Sequence, residues 1–290
     1  MPSLQPQPGP PDAGGVAAGR PAPAPLFAIG PAEPGPAIRR GALVAVPIGL
    51  CLLVELGLGT PTKGAIATGA LLAGFPGLDA PARPRAGWQA AAAPAIGLAA
   101  ALGVLSGQTI PTAVLALGLL GAAAGYCFAA SLRLAIYGLS VTLATLITQG
   151  LFLTPGDAVP ALLCGIAGGF LQALWSLLVW LLADRAVEDP ESAWDAGRAR
   201  VALRENLTLT APAARHALRF GAALAVGVAT YRLLGLRSHG FWIPLTILFV
   251  MRPERGETDR RLVLRAVGTA LGLVLATAAA EAFGGDDLAL

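Results

Sequence analysis

The sequence predicts an all-α fold, a polytopic transmembrane helical bundle of about nine membrane segments, built as a six-helix bundle followed by the first half of a repeated bundle. Three observations predict it. Apolar residues make up 55% of the 290 and charged residues only 13%, where a soluble domain carries about a quarter charged. Apolar runs approaching the roughly 20 residues that a helical span requires recur along the whole chain. The 37 glycines suit a bundle in lipid, where small residues let helix backbones approach closely.

Residues 1–37 hold 11 of the 24 prolines and few charges, so they read as a disordered Pro/Ala/Gly-rich cytoplasmic tail. They lack a basic start followed by an apolar core and so do not read as a cleaved signal peptide. A first transmembrane bundle, 38–184, follows, with segments at 41–58, 64–78, 87–105, 112–131, 134–153 and 159–183. Interleaved acidic and basic residues around Trp194 make 185–215 a cytoplasmic linker. A second transmembrane unit, 216–290, has segments at 217–236, 241–251 and 266–283.

Charge placement orients this layout. With the amino terminus cytoplasmic, the arginines from Arg39 and Arg40 through Arg83, Arg85, Arg133 and Arg215 to Arg265 fall on the cytoplasmic side; Lys63 and Arg237 fall on the other. The net charge of +3 is therefore a topology signal lining one membrane face, which excludes nucleic-acid binding as the chain's main role. Cys51, Cys127 and Cys164 each sit in an apolar segment without ligand-like neighbours, and His216 and His239 belong to no Cys/His cluster; neither a metal nor any other cofactor is expected.

An offset of about 177 residues aligns the chain with itself. The segment from Arg40 to the LGL at 56–58 matches the one from Arg219 to the LGL at 234–236. Thr68 then aligns with Thr246 and Pro76 with Pro253, each followed by a basic loop. The order of long segment, short segment, basic loop and long segment is the same in both copies, as in the parallel repeats of transporters. The end at 284–290 matches the loop before the fourth segment, so the second copy reads as incomplete.

Two features of the repeat point to a solute path. The segments at 64–78 and 241–251 are too short to cross about 30 Å of hydrocarbon as simple helices, and short segments at matching places in two halves mark transport sites. In the second copy this singles out Trp242, Pro244 and Thr246, equally readable as a short helix with an aromatic anchor. Arg252 follows directly. Beyond it, Arg261, Arg265, Gly268, Thr269 and Gly272 share one helical face, a basic mouth leading onto small residues. Positive-inside anchoring explains the arginines as well, with Gly268 and Gly272 as a helix-packing pair; the same glycine spacing recurs at Gly121 and Gly125 and at Gly165 and Gly169. Glu55 and Arg232 are ionisable residues inside segments, at nearly equivalent places in the repeats. They are expected to face each other or a shared cavity, or to snorkel to the interface.

No enzyme motif is present. GLGTPTK at 57–63 has Thr62 where a phosphate-binding loop needs its second glycine, and no strand precedes it. No nucleophilic triad, carboxylate pair or dinucleotide fingerprint occurs.

Over 216–277 the chain resembles the fusaric acid resistance-like (FUSC) family, the aromatic acid exporters, related in turn to plant aluminium-activated malate transporters. Trp242, Pro244, Leu245 and Thr246 carry the resemblance as a W-x-P-L-T element, continued by Arg252, Pro253, Gly256, Thr258, Arg261, Arg265, Gly268, Thr269 and Gly272. The resemblance implies a multi-pass protein of the bacterial inner membrane, with two six-helix bundles joined by a cytoplasmic segment. It further implies export of aromatic or other organic acids, a small organic anion as substrate, a homodimer in the lipid bilayer and a periplasmic adaptor protein. The first copy lacks the Trp and the Arg…Gly-Thr element, so no binding role transfers there. A passive organic-anion channel and a non-transporting membrane scaffold are the competing readings.

Overall fold

A computed structural model describes residues 34–57, 64–78, 80–151, 153–183, 196–208, 210–236, 240–253 and 255–282. Most of the proline-rich tail, Lys63, Trp194, Arg237, His239 and the 284–290 end lie outside the described residues. The chain divides into Met1–Arg39, of which only the start of the first helix is described, and Arg40–Leu290, which holds the bundle.

The described residues form helices and no strand. In order they are α1 (Pro34–Gly57), α2 (Ala65–Gly74), α3 (Ala82–Ser106), α4 (Ile110–Cys127), α5 (Leu132–Gly150), α6 (Ala158–Ala183), α7 (Ala196–Glu205), α8 (Pro212–Leu233), α9 (Trp242–Val250) and α10 (Arg255–Ala282), with a single 3-10 turn at Pro155–Asp157. Among the described residues, four stretches are long and apolar enough to cross a membrane: Arg83–Ser106, Ile110–Cys127, Leu132–Gly150 and Pro155–Leu182. This is a polytopic α-helical membrane protein. The remaining predicted segments form helices that miss that threshold for different reasons. α2 and α9 are 10 and 9 residues long, whereas arginines interrupt α8 at 215, 219 and 232 and crowd the first turns of α10. The predicted linker contains α7, which Tyr126 at the end of α4 tethers by a hydrogen bond to the carbonyl of Leu203.

Local chemistry sets several helix starts. Thr109 and Ser131 cap α4 and α5 by accepting from the amides of Thr112 (3.4 Å) and Leu134 (3.1 Å). Asp157 accepts from the amide (2.8 Å) and hydroxyl (2.7 Å) of Thr154, which closes the turn into α6. The first amides of α2 are satisfied from another helix: Glu55 of α1 accepts from Ile66 at 3.0 Å and reaches Ala67 at 3.5 Å.

Glycine decides which helices meet. A Cβ on Gly165 would stand 2.8 Å from Gly97 Cα and one on Gly169 2.7 Å from Ala93 Cα, so α3 and α6 cross backbone to backbone, antiparallel. α2 enters the same crossing, where a Cβ on Gly69 would lie 2.9 Å from the Gly165 carbonyl. On the other side, a Cβ on Gly125 would stand 3.0 Å from Ala217 Cα and one on Gly221 2.9 Å from Ala122 Cβ, joining α4 to α8. Polar side chains bind α5 to its neighbours: Thr145 donates to the Ala99 carbonyl at 3.0 Å, and Gln149 donates to Ser106 Oγ at 2.8 Å. The resulting core is continuous from Leu72 and Ile96 through Leu117 and Leu146 to Leu224, Tyr231 and Leu248.

The antiparallel register gathers most of the described arginines at one end, with Arg232 in the last turn of α8 at the other. Arg83 and Arg85 open α3, Arg133 follows the α4–α5 turn, Arg215 and Arg219 open α8, and Arg252 follows α9. Arg83 lies over the Trp180 ring, 5.4 Å from its centroid, a cation and an aromatic at the level where both favour a membrane interface. α10 stands apart. Gly268 and Gly272 have no atom within 4 Å of where a Cβ would be, and both are exposed. Among the described residues these two glycines meet no packing partner; Gly121 with Gly125 and Gly165 with Gly169 make such contacts.

Candidate functional site

Two cavities open at the end of the bundle opposite the arginines. The larger, about 480 Å³, lies among α2, α3, α5 and α6. Its wall is largely apolar (Leu72, Ile96, Ala100, Ile147), with Thr68, Thr148, Cys164 and Asp157 as its polar points. The short length of α2 creates this space, because the helix begins only at Ala65 and occupies part of the bundle's depth. Thr68 and Thr148 turn their hydroxyl hydrogens onto the carbonyls of Gly64 (2.8 Å) and Ala144 (3.0 Å), leaving oxygen lone pairs as their remaining polar capacity.

The smaller cavity, about 350 Å³, is lined by Gly107, Gln108, Ile110, Tyr231, Arg232, Gly235 and Leu236, and shares Leu153 with the larger one. Arg232 is its cation. The guanidinium donates to the Gln149 carbonyl and to Tyr231 Oη, both at 3.1 Å, and rests 5.5 Å from the Tyr231 ring centroid. Gln108 is held alongside through 2.7 Å and 3.0 Å bonds to the carbonyls of Val104 and Leu153. An oriented guanidinium beside an apolar cavity is an arrangement that accepts a carboxylate at one place and its hydrocarbon body at the next.

The other residues singled out from the sequence fall elsewhere. Glu55 is buried at the head of α2 as a helix cap, so the described bonds of Glu55 and Arg232 go to different elements, α2 and α5. In α9, Trp242 is exposed and stacks on Phe241 at 5.3 Å, while Pro244 is buried against Gly227 and Thr246 is half-buried. The Arg252 amide donates to Thr258 Oγ1 at 2.9 Å and its carbonyl accepts from that hydroxyl at 3.3 Å, tying the α9–α10 turn. Arg261 and Arg265 are half-buried on α10 and Thr269 is exposed. Of these residues only Arg232 lines a described cavity. Thr148, Asp157 and Gln108 were not foreseen; each is a polar residue at the end of an apolar segment, a weaker signal than a charge within one.

Apolar helices of spanning length and two short companions define a polytopic helical membrane protein, with the two cavities above at the end opposite most of its arginines. Residues 223–290, from α8 onward, match the fusaric acid resistance protein-like family. The inner membrane protein YccS of Escherichia coli K12 is 43% identical over 61 residues, 21% of this chain and 8% of that protein. The Synechocystis protein slr1298 is 40% identical over 73 residues, 25% of this chain and 10% of its own, and Escherichia coli YhfK 38% over 78, 26% and 11%. The chain thus matches about a tenth of the length of these relatives. No solved structure matches. The similarity to the FUSC family is thus confined to the carboxy-terminal stretch that holds the W-x-P-L-T and Arg…Gly-Thr elements.

Proposed function

We propose that the protein is a transporter that exports aromatic or other organic acids across the bacterial inner membrane. The observation that carries this reading is a pair of cavities that share Leu153, a largely apolar one against the short helix α2 and a second one presenting the Arg232 guanidinium. The match of 223–290 to a family described by resistance to an aromatic acid supports the solute, and the similarity to the inner membrane protein YccS of Escherichia coli supports the location. In this reading the shorter helices complete nine segments with a cytoplasmic amino terminus: a first bundle at 38–184, a linker at 185–215 and a repeat unit at 216–290. The family resemblance adds a homodimer and a periplasmic adaptor.

Proteoliposomes loaded with fusaric acid or benzoate test it. A transporter releases either acid only when a proton gradient is imposed, and Arg232→Ala slows release while Arg232→Lys slows it less. Electrogenic flux without a gradient would make the protein a channel, and absence of flux from the folded chain would make it a scaffold.

A further inference from the structure

Among the polar side chains at 0% exposure inside the first bundle are Gln89 of α3 and Gln172 and Ser176 of α6. Both amide atoms of Gln89, Oε1 of Gln172 and Oγ of Ser176 have no hydrogen-bond partner among the described residues. Gln172 otherwise donates to the Leu43 carbonyl of α1 at 2.9 Å. Unpaired buried polar atoms are costly, and a native structure keeps them where something else satisfies them for part of the time.

Their position suggests what that is. Gln89 stands one turn from Ala93 toward the arginine end, and Gln172 one turn from Gly169 in the same direction; Ala93 and Gly169 form the α3–α6 crossing. The 480 Å³ cavity lies on the other side of that crossing, against Ile96, Ala100, Cys164 and Gly165. α2 connects the two: Ala65, Thr68, Gly69 and Leu72 line the cavity, and Gly74 at its far end places a Cβ 3.7 Å from Gln172 Cδ. A polar cluster and a cavity thus follow one short helix, separated by a constriction of small residues.

We propose that the solute path runs along α2 through this bundle. The cavity is its open half. The Gln89–Gln172–Ser176 cluster is its closed half, which receives the carboxyl group of an organic acid once the α3–α6 crossing loosens. The set is neutral and offers both donors (Gln89 Nε2, Ser176 Oγ) and acceptors (Gln89 Oε1, Gln172 Oε1), which suits a carboxyl group in either protonation state. The inference rests on the transport reading for its solute but not for its path.

The test is thiol accessibility in the full chain in membranes. Native Cys164 should react with a membrane-impermeant methanethiosulfonate from the cavity end. In a chain with Cys51, Cys127 and Cys164 changed to Ser, Ser176→Cys and Gln89→Cys should react from the arginine end, severalfold faster with fusaric acid present. Ser140→Cys, buried on α5 away from the path, should stay inert. Gln89→Leu supplies a second readout: an unpaired amide that is merely structural is replaced with no loss of flux, whereas a path residue loses flux severalfold with the melting temperature unchanged or raised. Inert cysteines at 89 and 176 in folded, transporting protein, or full flux from Gln89→Leu, would overturn the path. Reactive cysteines in protein without flux would leave the path standing and remove the transport reading.

Discussion

At position 55 a carboxylate inside an apolar helix reads from sequence as a functional charge, and the structure gives it a defined structural partner. Its oxygens take the first amides of α2, where a negative group also meets the positive end of the helix dipole. Glu55→Ala is expected to destabilise the bundle by about 1–2 kcal/mol, as loss of a helix cap does. Glu55→Gln, which keeps an acceptor, should cost less, and thermal unfolding in detergent would rank the two. Arg232 differs, since its guanidinium lines a cavity as well as bonding the Gln149 carbonyl. Its substitution should therefore lower flux by more than it lowers stability. Both residues were found by one rule, that charge inside a membrane segment is expensive. The rule located them without telling cap from cavity, because the partner of Glu55 is backbone and backbone leaves no mark in a sequence. The same rule passed over Gln89 and Gln172, which are uncharged but stand in otherwise apolar helices.

Among the elements, the order and the two short helices were legible in the sequence, because hydropathy and arginine spacing report segment length directly. The choice of packing glycines was not. Gly268 and Gly272 share a spacing with Gly165 and Gly169, yet among the described residues the second pair meets a neighbour and the first does not; spacing fixes which residues share a face, and the tertiary arrangement fixes what that face meets. Substitution should expose the difference. A methyl on Gly168 would run into the Ile66 carbonyl, backbone that cannot rotate aside, so Gly168→Ala should cost about 3 kcal/mol or more and lower the unfolding temperature. Gly268→Ala meets nothing and should leave stability unchanged or raise it by up to about 1 kcal/mol through helix propensity.

In the whole molecule, α8 and α9 are not a separate body set beside the first bundle. α8 lies in the glycine groove of α4, α9 reaches α5 where Phe241 abuts Gly150, and Tyr231 and Leu248 belong to the same core as Leu72. A chain ending after α6 would leave Gly118, Gly121 and Gly125 without their partner helix. Such a truncation is expected to melt at a lower temperature than the full chain in the same detergent, which differential scanning fluorimetry would read. Sequence reasoning divided the chain at its polar stretch because composition changes there; packing continues across it because α4 and α8 carry complementary small residues far apart in sequence.

The capping of α2 by α1 bears on how the protein enters a membrane. A helix of 10 residues with bare amides at its head is poorly stable in lipid, where no water replaces the missing partner. Those amides gain their acceptor only when Glu55 is already beside them. The cap therefore favours entry of α1 and α2 together, as one hairpin, with the acceptor preceding the amides it serves along the chain.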